Sequence, residues 1–166
     1  AVLCPGSGWQ MLKPAREVLI AAWTIGSRID KKIKALNQAG KFLDAYLYDC
    51  AGLEALKQAE NAVKELARKR AKENSWGVSA LISPGSIKGW DLAEQKEFCA
   101  LIDLDDIGLE LNSHQVLTPF KSASGMIGIG PGYLSDTVGS SCMMCQKKQT
   151  CLKSDCFSQE SKTIIQ

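Results

Sequence analysis

Lys121-Ser122-Ala123-Ser124-Gly125-Met126-Ile127-Gly128-Ile129-Gly130 is small, apolar and rich in glycine. Such a run predicts a strand that another backbone, or a ligand, can approach closely, because its glycines leave no side chain in the way. The glycines at 125, 128, 130 and 132 do not make a nucleotide loop. They form neither the dinucleotide fingerprint between a strand and a helix nor the phosphate loop that closes on Gly-Lys-Ser/Thr.

Working back from this strand, Gly108 begins a switch to alternation, carried by Leu109, Leu111, Val116 and Leu117. Asp91 with Glu94 three residues on predicts a helix start, and Leu92, Phe98, Leu101 and Ile102 give that helix an apolar face. Gly77 to Ile82 reads as a short strand, running into a tight turn at Ser83-Pro84-Gly85-Ser86. Further upstream lies a long helical region. In it Leu47, Leu53, Leu56, Ala59, Val63 and Leu66 fall near one face, with Gly52 as a candidate break and Glu73 to Ser75 as the end. Ser27 starts an earlier helix, with Asp30 as a weak form of the capping box and Gly40 as the stop. Val18 to Thr24 predicts a buried strand, and Ala1 to Pro14 an irregular lead-in. Helices first, then short strands mixed with helices, without steady alternation, predict the α+β class.

The chain has 166 residues, enough for one domain with a sizeable core. Its 20 basic residues nearly balance 18 acidic ones, so no nucleic-acid or membrane-surface partner is expected. The densest basic stretch, Lys64 to Lys72, reads as a solvated helix end. No window reaches the roughly 18 apolar residues of a membrane span. With no charged-then-apolar signal at the front, a cytoplasmic setting is expected. The first residue is Ala1 rather than Met, as in a processed product or a piece of a longer chain.

Seven cysteines are present, and four of them, Cys142, Cys145, Cys151 and Cys156, crowd into fifteen residues. Cys142 and Cys145 place two thiolates within chelating reach on one turn, and loops of five and four residues bring in the other two. Four soft sulfurs suit zinc or an iron–sulfur cluster. Lys147, Lys148 and Lys153 would lower the thiolate pKa values and offset cluster charge. The spacing alone does not decide between the two metals, while a metal of either kind is favoured over a reduced, metal-free tail. Other polar groups point to plainer roles. His114 reads as a surface histidine, the acidic run Asp103, Asp105, Asp106 and Glu110 as a solvated turn, and Trp90 as core.

Several of these pieces, in order, resemble the activation domain of cobalamin-dependent methionine synthase. They are Ile82-Ser83-Pro84-Gly85; Trp90, Glu94-Gln95 and Phe98; Ile107-Gly108-Leu109-Glu110-Leu111; and Pro119 with Lys121-Ser122-Ala123-Ser124-Gly125. Short stand-alone relatives of that domain are similar to this chain also from Trp23-Thr24-Ile25-Gly26 through Asp49 to Gly52. The resemblance spans about Ala22 to Gly130, roughly two thirds of the chain.

The resemblance implies a bent antiparallel sheet with surrounding helices, and a role beside a corrinoid. In that family the domain binds S-adenosylmethionine and caps the cobalamin domain during reductive remethylation. This sequence departs from the family's turn at two positions. Leu81 stands where an arginine is expected and Ser86 replaces a tyrosine, so the carboxylate fork and the aromatic face are both missing and S-adenosylmethionine binding is doubtful. The implied contact residues are Ser83, Pro84 and Gly85 in the turn and Ser122, Ser124 and Gly125 in the strand. Tyr133 falls roughly where another family tyrosine lies.

The stand-alone relatives also carry cysteines after the glycine-rich strand, which favours an iron–sulfur cluster, four-iron in type, over zinc. The expected organisation is an activation-like α+β domain at residues 1–136 and an irregular cysteine-rich, metal-binding tail at 137–166. The expected function is that of an accessory protein in corrinoid-dependent methyl transfer. It would dock on a corrinoid protein or corrinoid methyltransferase that carries the cobalamin, and support reduction of its cobalt. Two alternatives stand beside it: a non-catalytic binding module with structural zinc, and an S-adenosylmethionine-binding reactivation domain.

Overall fold

A computed structural model describes residues 8–141. The four clustered cysteines, and with them most of the 137–166 tail, lie outside the described residues. In chain order the elements are α1 (Gly8–Leu12), β1 (Glu17–Thr24), α2 (Arg28–Gln38), α3 (Phe42–Glu73) and β2 (Gly77–Val78). After these come a 3₁₀ turn at Leu92–Glu94, α4 (Gln95–Cys99), a second 3₁₀ turn at Asp105–Ile107, β3 (Glu110–Leu111), β4 (Leu117–Thr118) and β5 (Ser122–Gly130). The fold is α+β, with helices around a small antiparallel sheet.

The glycine-rich strand is the centre of that sheet. β5 pairs antiparallel with β1 along its length, Thr24 opposite Ser122 and Glu17 opposite Ile129, and with β2 on its other edge. An isolated bridge from Ile82 to Met126 extends the β2 side, so the predicted Gly77 to Ile82 strand is present only at its two ends. Alternation sends successive side chains of β5 to opposite faces. Met126 joins a core with Trp90, Phe98, Ile82, Ile87 and Leu109, whereas Ile127 and Ile129 pack with Val63, Ala67 and Ala71 of α3. Trp90 is fully buried and meets Phe98 edge to face, with ring centroids 5.7 Å apart. Asp91 caps the following turn by accepting a hydrogen bond from Ala93 N.

Three helical expectations need correction. Gly52 does not divide the long helix, which runs unbroken for 32 residues. Its bare Cα is a packing feature, because a Cβ there would lie 3.0 Å from Ile29 Cδ1 and 3.1 Å from Lys121 Cε. The apolar face also differs from the leucine stripe. Leu56, Ala59 and Val63 pack toward the sheet with Ala67 and Ala71, but Leu47, Leu53 and Leu66 are exposed, and the buried Gly52 lies against Ile29 of α2 and the Lys121 side chain. Small residues bring the helix close to the sheet. Ser27 makes no side-chain cap on α2. The carboxylate of Asp30 instead accepts from Phe120 N at 2.9 Å, tying α2 to the segment that leads into β5.

At its C-terminal end α3 is stitched to β1 by Arg70. Its guanidinium donates to both oxygens of Glu17 at 2.7 and 2.8 Å. This bidentate pairing holds the Glu17 carboxyl below the usual carboxylate range, and raises the pKa of Arg70. The basic stretch is thus a partly paired helix end, with Lys64 on Glu60 and Arg68 on Glu65 as well. His114 and the acidic run lie at the surface, as expected. No helix among the described residues is long and apolar enough to cross a membrane.

Candidate functional site

The Ser83-Pro84-Gly85-Ser86 turn is closed by its own last residue. Ser86 Oγ accepts from Ser83 N at 3.1 Å and donates to Ser83 O at 2.6 Å, and Gly85 takes a positive φ of 75° that a side chain would resist. Ser86 therefore supplies the hydroxyl that shapes the turn. Leu81, just upstream, packs over Gly125 and belongs to the α3-side core.

Opposite the turn, β5 begins with Ser122 and Ser124, two residues apart and therefore on one face. Ser122 Oγ donates to the Pro119 carbonyl at 2.6 Å and lies 2.8 Å from Thr24 Oγ1. Ser124 Oγ accepts from Gln95 Nε2 at 2.7 Å. It also faces Cys99, whose thiol is pushed up by burial and eased only in part by this hydroxyl.

Between turn and strand lies a cleft of about 210 Å³. Ser83 and Pro84 line one side, Ser122 and Ser124 another, Gln95 and Gln115 add carboxamides, and Leu92 and Phe120 form exposed apolar rims. None of its lining residues carries a charge. The structure thus gathers four of the seven predicted contact residues. Gly85 sits in an adjoining depression with Ser86 and Asp91 that shares Pro84 and Leu92 with the cleft. Gly125 and Tyr133 are not part of the lining. Gly125 projects to the other sheet face, under Leu81 and the Ile82 carbonyl. The Tyr133 hydroxyl donates to Met11 O at 2.6 Å and covers Gly128, and burial raises its pKa.

Sequence reasoning passed over Gln95 as a side chain and Gln115 altogether. Gln115 sits between β3 and β4, where Asn112 Oδ1 accepts from both His114 N and Val116 N and so fixes the loop. The backbone of Gln115 is left-handed, with φ at 60°, uncommon for a residue other than glycine, asparagine or aspartate. Its side-chain oxygen is buried and has no hydrogen-bond partner among the described residues. Held backbone strain together with an orphaned buried acceptor was the signal, and neither is visible in residue types alone.

A second convergence supports this site from behind. Ile25 N donates to Lys121 O at 3.2 Å, Gly26 N donates to Thr24 Oγ1, and Lys121 reaches back to Asp49 and lies across Gly52. Trp23 to Gly26, Asp49 to Gly52 and the start of β5 therefore meet at one place. Among the described residues no group of three or more His, Cys, Asp or Glu side chains could hold a metal. Cys50 is exposed and Cys99 buried, and both are free thiols. No protein-family model and no curated protein matches this chain.

Proposed function

We propose that the protein is an accessory factor of corrinoid-dependent methyl transfer, an activation-type α+β domain that docks on a corrinoid-carrying protein in the cytoplasm. One observation carries this reading. The turn and the strand start whose sequences resemble the cobalamin-activation family lie far apart in the chain, yet form two walls of one uncharged, surface-open cleft with apolar rims. Such a surface suits a large neutral body such as a corrin edge, which needs flat apolar contact and few charges. The same lack of charge argues against S-adenosylmethionine in the cleft, since its carboxylate and ammonium would be left without partners.

The redox half of the proposal rests on Cys142, Cys145, Cys151 and Cys156. Four thiolates are a donor set fit for an iron–sulfur cluster, and such centres reach potentials down to about −700 mV, low enough to reduce a cobalt(II) corrinoid. The test is iron, zinc and acid-labile sulfide content of the full chain purified without oxygen. Iron with matching sulfide is the expected result. Zinc without sulfide would overturn electron delivery and leave a structural zinc module on the same scaffold.

A further inference from the structure

The cleft contains more specific chemistry than shape. One of its lining residues, Gln115, holds a buried side-chain oxygen with no hydrogen-bond partner among the described residues. Leaving such a group unpaired is costly, so its natural occupant is a hydrogen-bond donor. Gln95, itself buried, spends one N–H on Ser124 and has a second to offer an acceptor. A ligand that answers both must carry a donor and an acceptor close together and no net charge. Val116, Leu117 and Phe120 add apolar lining.

We propose that the cleft is a seat for one primary carboxamide group, held between the side chains of Gln115 and Gln95. A carboxamide is planar, neutral, and both donor and acceptor. It serves Gln115 even when that amide is turned over, because the two amides can always pair donor to acceptor. The volume, about 210 Å³, is below the usual range for a whole small-molecule ligand. The seat therefore takes an appendage of a larger body that stays outside. This deepens the proposed function and rests on it for the identity of that body, because a corrin ring bears such amides along its edge. A carboxylate in the same place would be a buried charge without a counter-ion, so the seat discriminates amide from acid.

The test is ¹H–¹⁵N NMR of the side-chain amides of the full chain, titrated with propionamide, propionate and propylammonium. Saturable shifts of the Gln95 and Gln115 signals with propionamide alone are expected, and Gln115→Met should weaken that binding about tenfold. Equal shifts with propionate, or none with propionamide at its solubility limit, overturn the seat. Gln115→Gly, which suits the left-handed backbone, should bind no better than Gln115→Met while melting like the parent; unchanged propionamide affinity in both variants also overturns it. A second titration separates this proposal from the one beneath it, using cobinamide and the same corrinoid with its amides hydrolysed to acids. If propionamide binds but cobinamide does not displace it, the amide seat stands and the corrinoid reading fails. If cobinamide binds while propionamide neither shifts these signals nor competes, the seat is overturned and corrinoid docking survives.

Discussion

Lys121 Nζ lies 2.5 Å from Asp49 Oδ1, joining the start of the central strand to the N-terminal part of the long helix. The lysine side chain is almost wholly buried and the aspartate is 42% exposed, so the pair is a peg driven through the fold from inside. The cost of breaking it depends on which partner is removed. Asp49→Asn strands a buried ammonium and should cost about 2 kcal/mol, below the 3–5 typical of fully buried pairs because water reaches the carboxylate. Lys121→Met keeps the stem beside Gly52 and should cost less. Urea unfolding of both variants checks the order, and a larger loss in Lys121→Met would contradict it.

At Gly52 two effects oppose one another. Alanine there gains roughly 1 kcal/mol of helix propensity. Its Cβ meets only the flexible ends of Ile29 and Lys121, which can give by a few tenths of an ångström. Gly52→Ala is expected to be near neutral in thermal melts, whereas Gly52→Val should lose about 1–3 kcal/mol by overpacking. Equal stability of the two would mean that the contact is loose.

The Tyr133 hydroxyl stands where a side chain on Gly128 would begin. Gly128→Ala should therefore be strongly destabilising, and Tyr133→Phe should cost about 1 kcal/mol through its lost bond to Met11. Because the hydroxyl is part of the collision, the double variant should be less damaged than the sum of the two single ones. A double-mutant cycle by calorimetry measures this coupling, and strict additivity would count against it.

Arg70 and Glu17 predict a pH effect with a definite sign. The carboxyl of Glu17 titrates below its ordinary value of 4.5 because Arg70 holds its charged form. The stabilisation is then fully present above that value and is lost as pH falls through the lowered, folded-state pKa. Glu17→Gln should flatten this part of the acid-unfolding curve by lowering stability modestly at neutral pH, where the exposed pair acts, and should converge with the parent once Glu17 is protonated. An unaltered acid limb would mean that the pair contributes nothing.

Thiol reactivity offers a further check. Cys99 is buried and its pKa is raised by that burial, whereas Cys50 is exposed on α3. In a chain with its other cysteines changed to serine, a thiol reagent at mild alkaline pH should label Cys50 quickly. Cys99 should react only on unfolding. Equal rates would place Cys99 at the surface.

Much of the architecture was legible because its signals are local. Val18 to Thr24 declares a strand through β-branched and apolar residues, Asp91 and Glu94 announce a helix start, and the glycine run marks a strand crowded by neighbours. The α3 face was read only in part, right for Leu56, Ala59 and Val63 and wrong for the other leucines, because periodicity ranks residues by hydrophobicity. A helix lying close on a sheet selects them by size, so Ala67 and Ala71 went inside and Leu47 and Leu66 stayed out. Asp30 looked like a cap because capping is a local rule, and its real partner, Phe120 N, lies 90 residues away. At the site, the turn and strand residues were visible as sequence pieces. Gln115 was not, because its importance comes from a left-handed backbone and an acceptor with no partner.

The pairing of β1 with β5 also bears on how the chain comes off the ribosome. Thr24 waits for a partner 97 residues further on, at Lys121. At about 5–20 residues per second, the first strand is made on the order of ten seconds before the strand that completes it. The two long helices can pair in that interval, since their contacts are local, and the sheet must then close around them. A nascent chain halted before residue 122 would expose the Glu17–Thr24 edge with nothing of its own to cover it. Synthesis of the glycine-rich strand is therefore the step that covers this edge of β1 and completes the sheet.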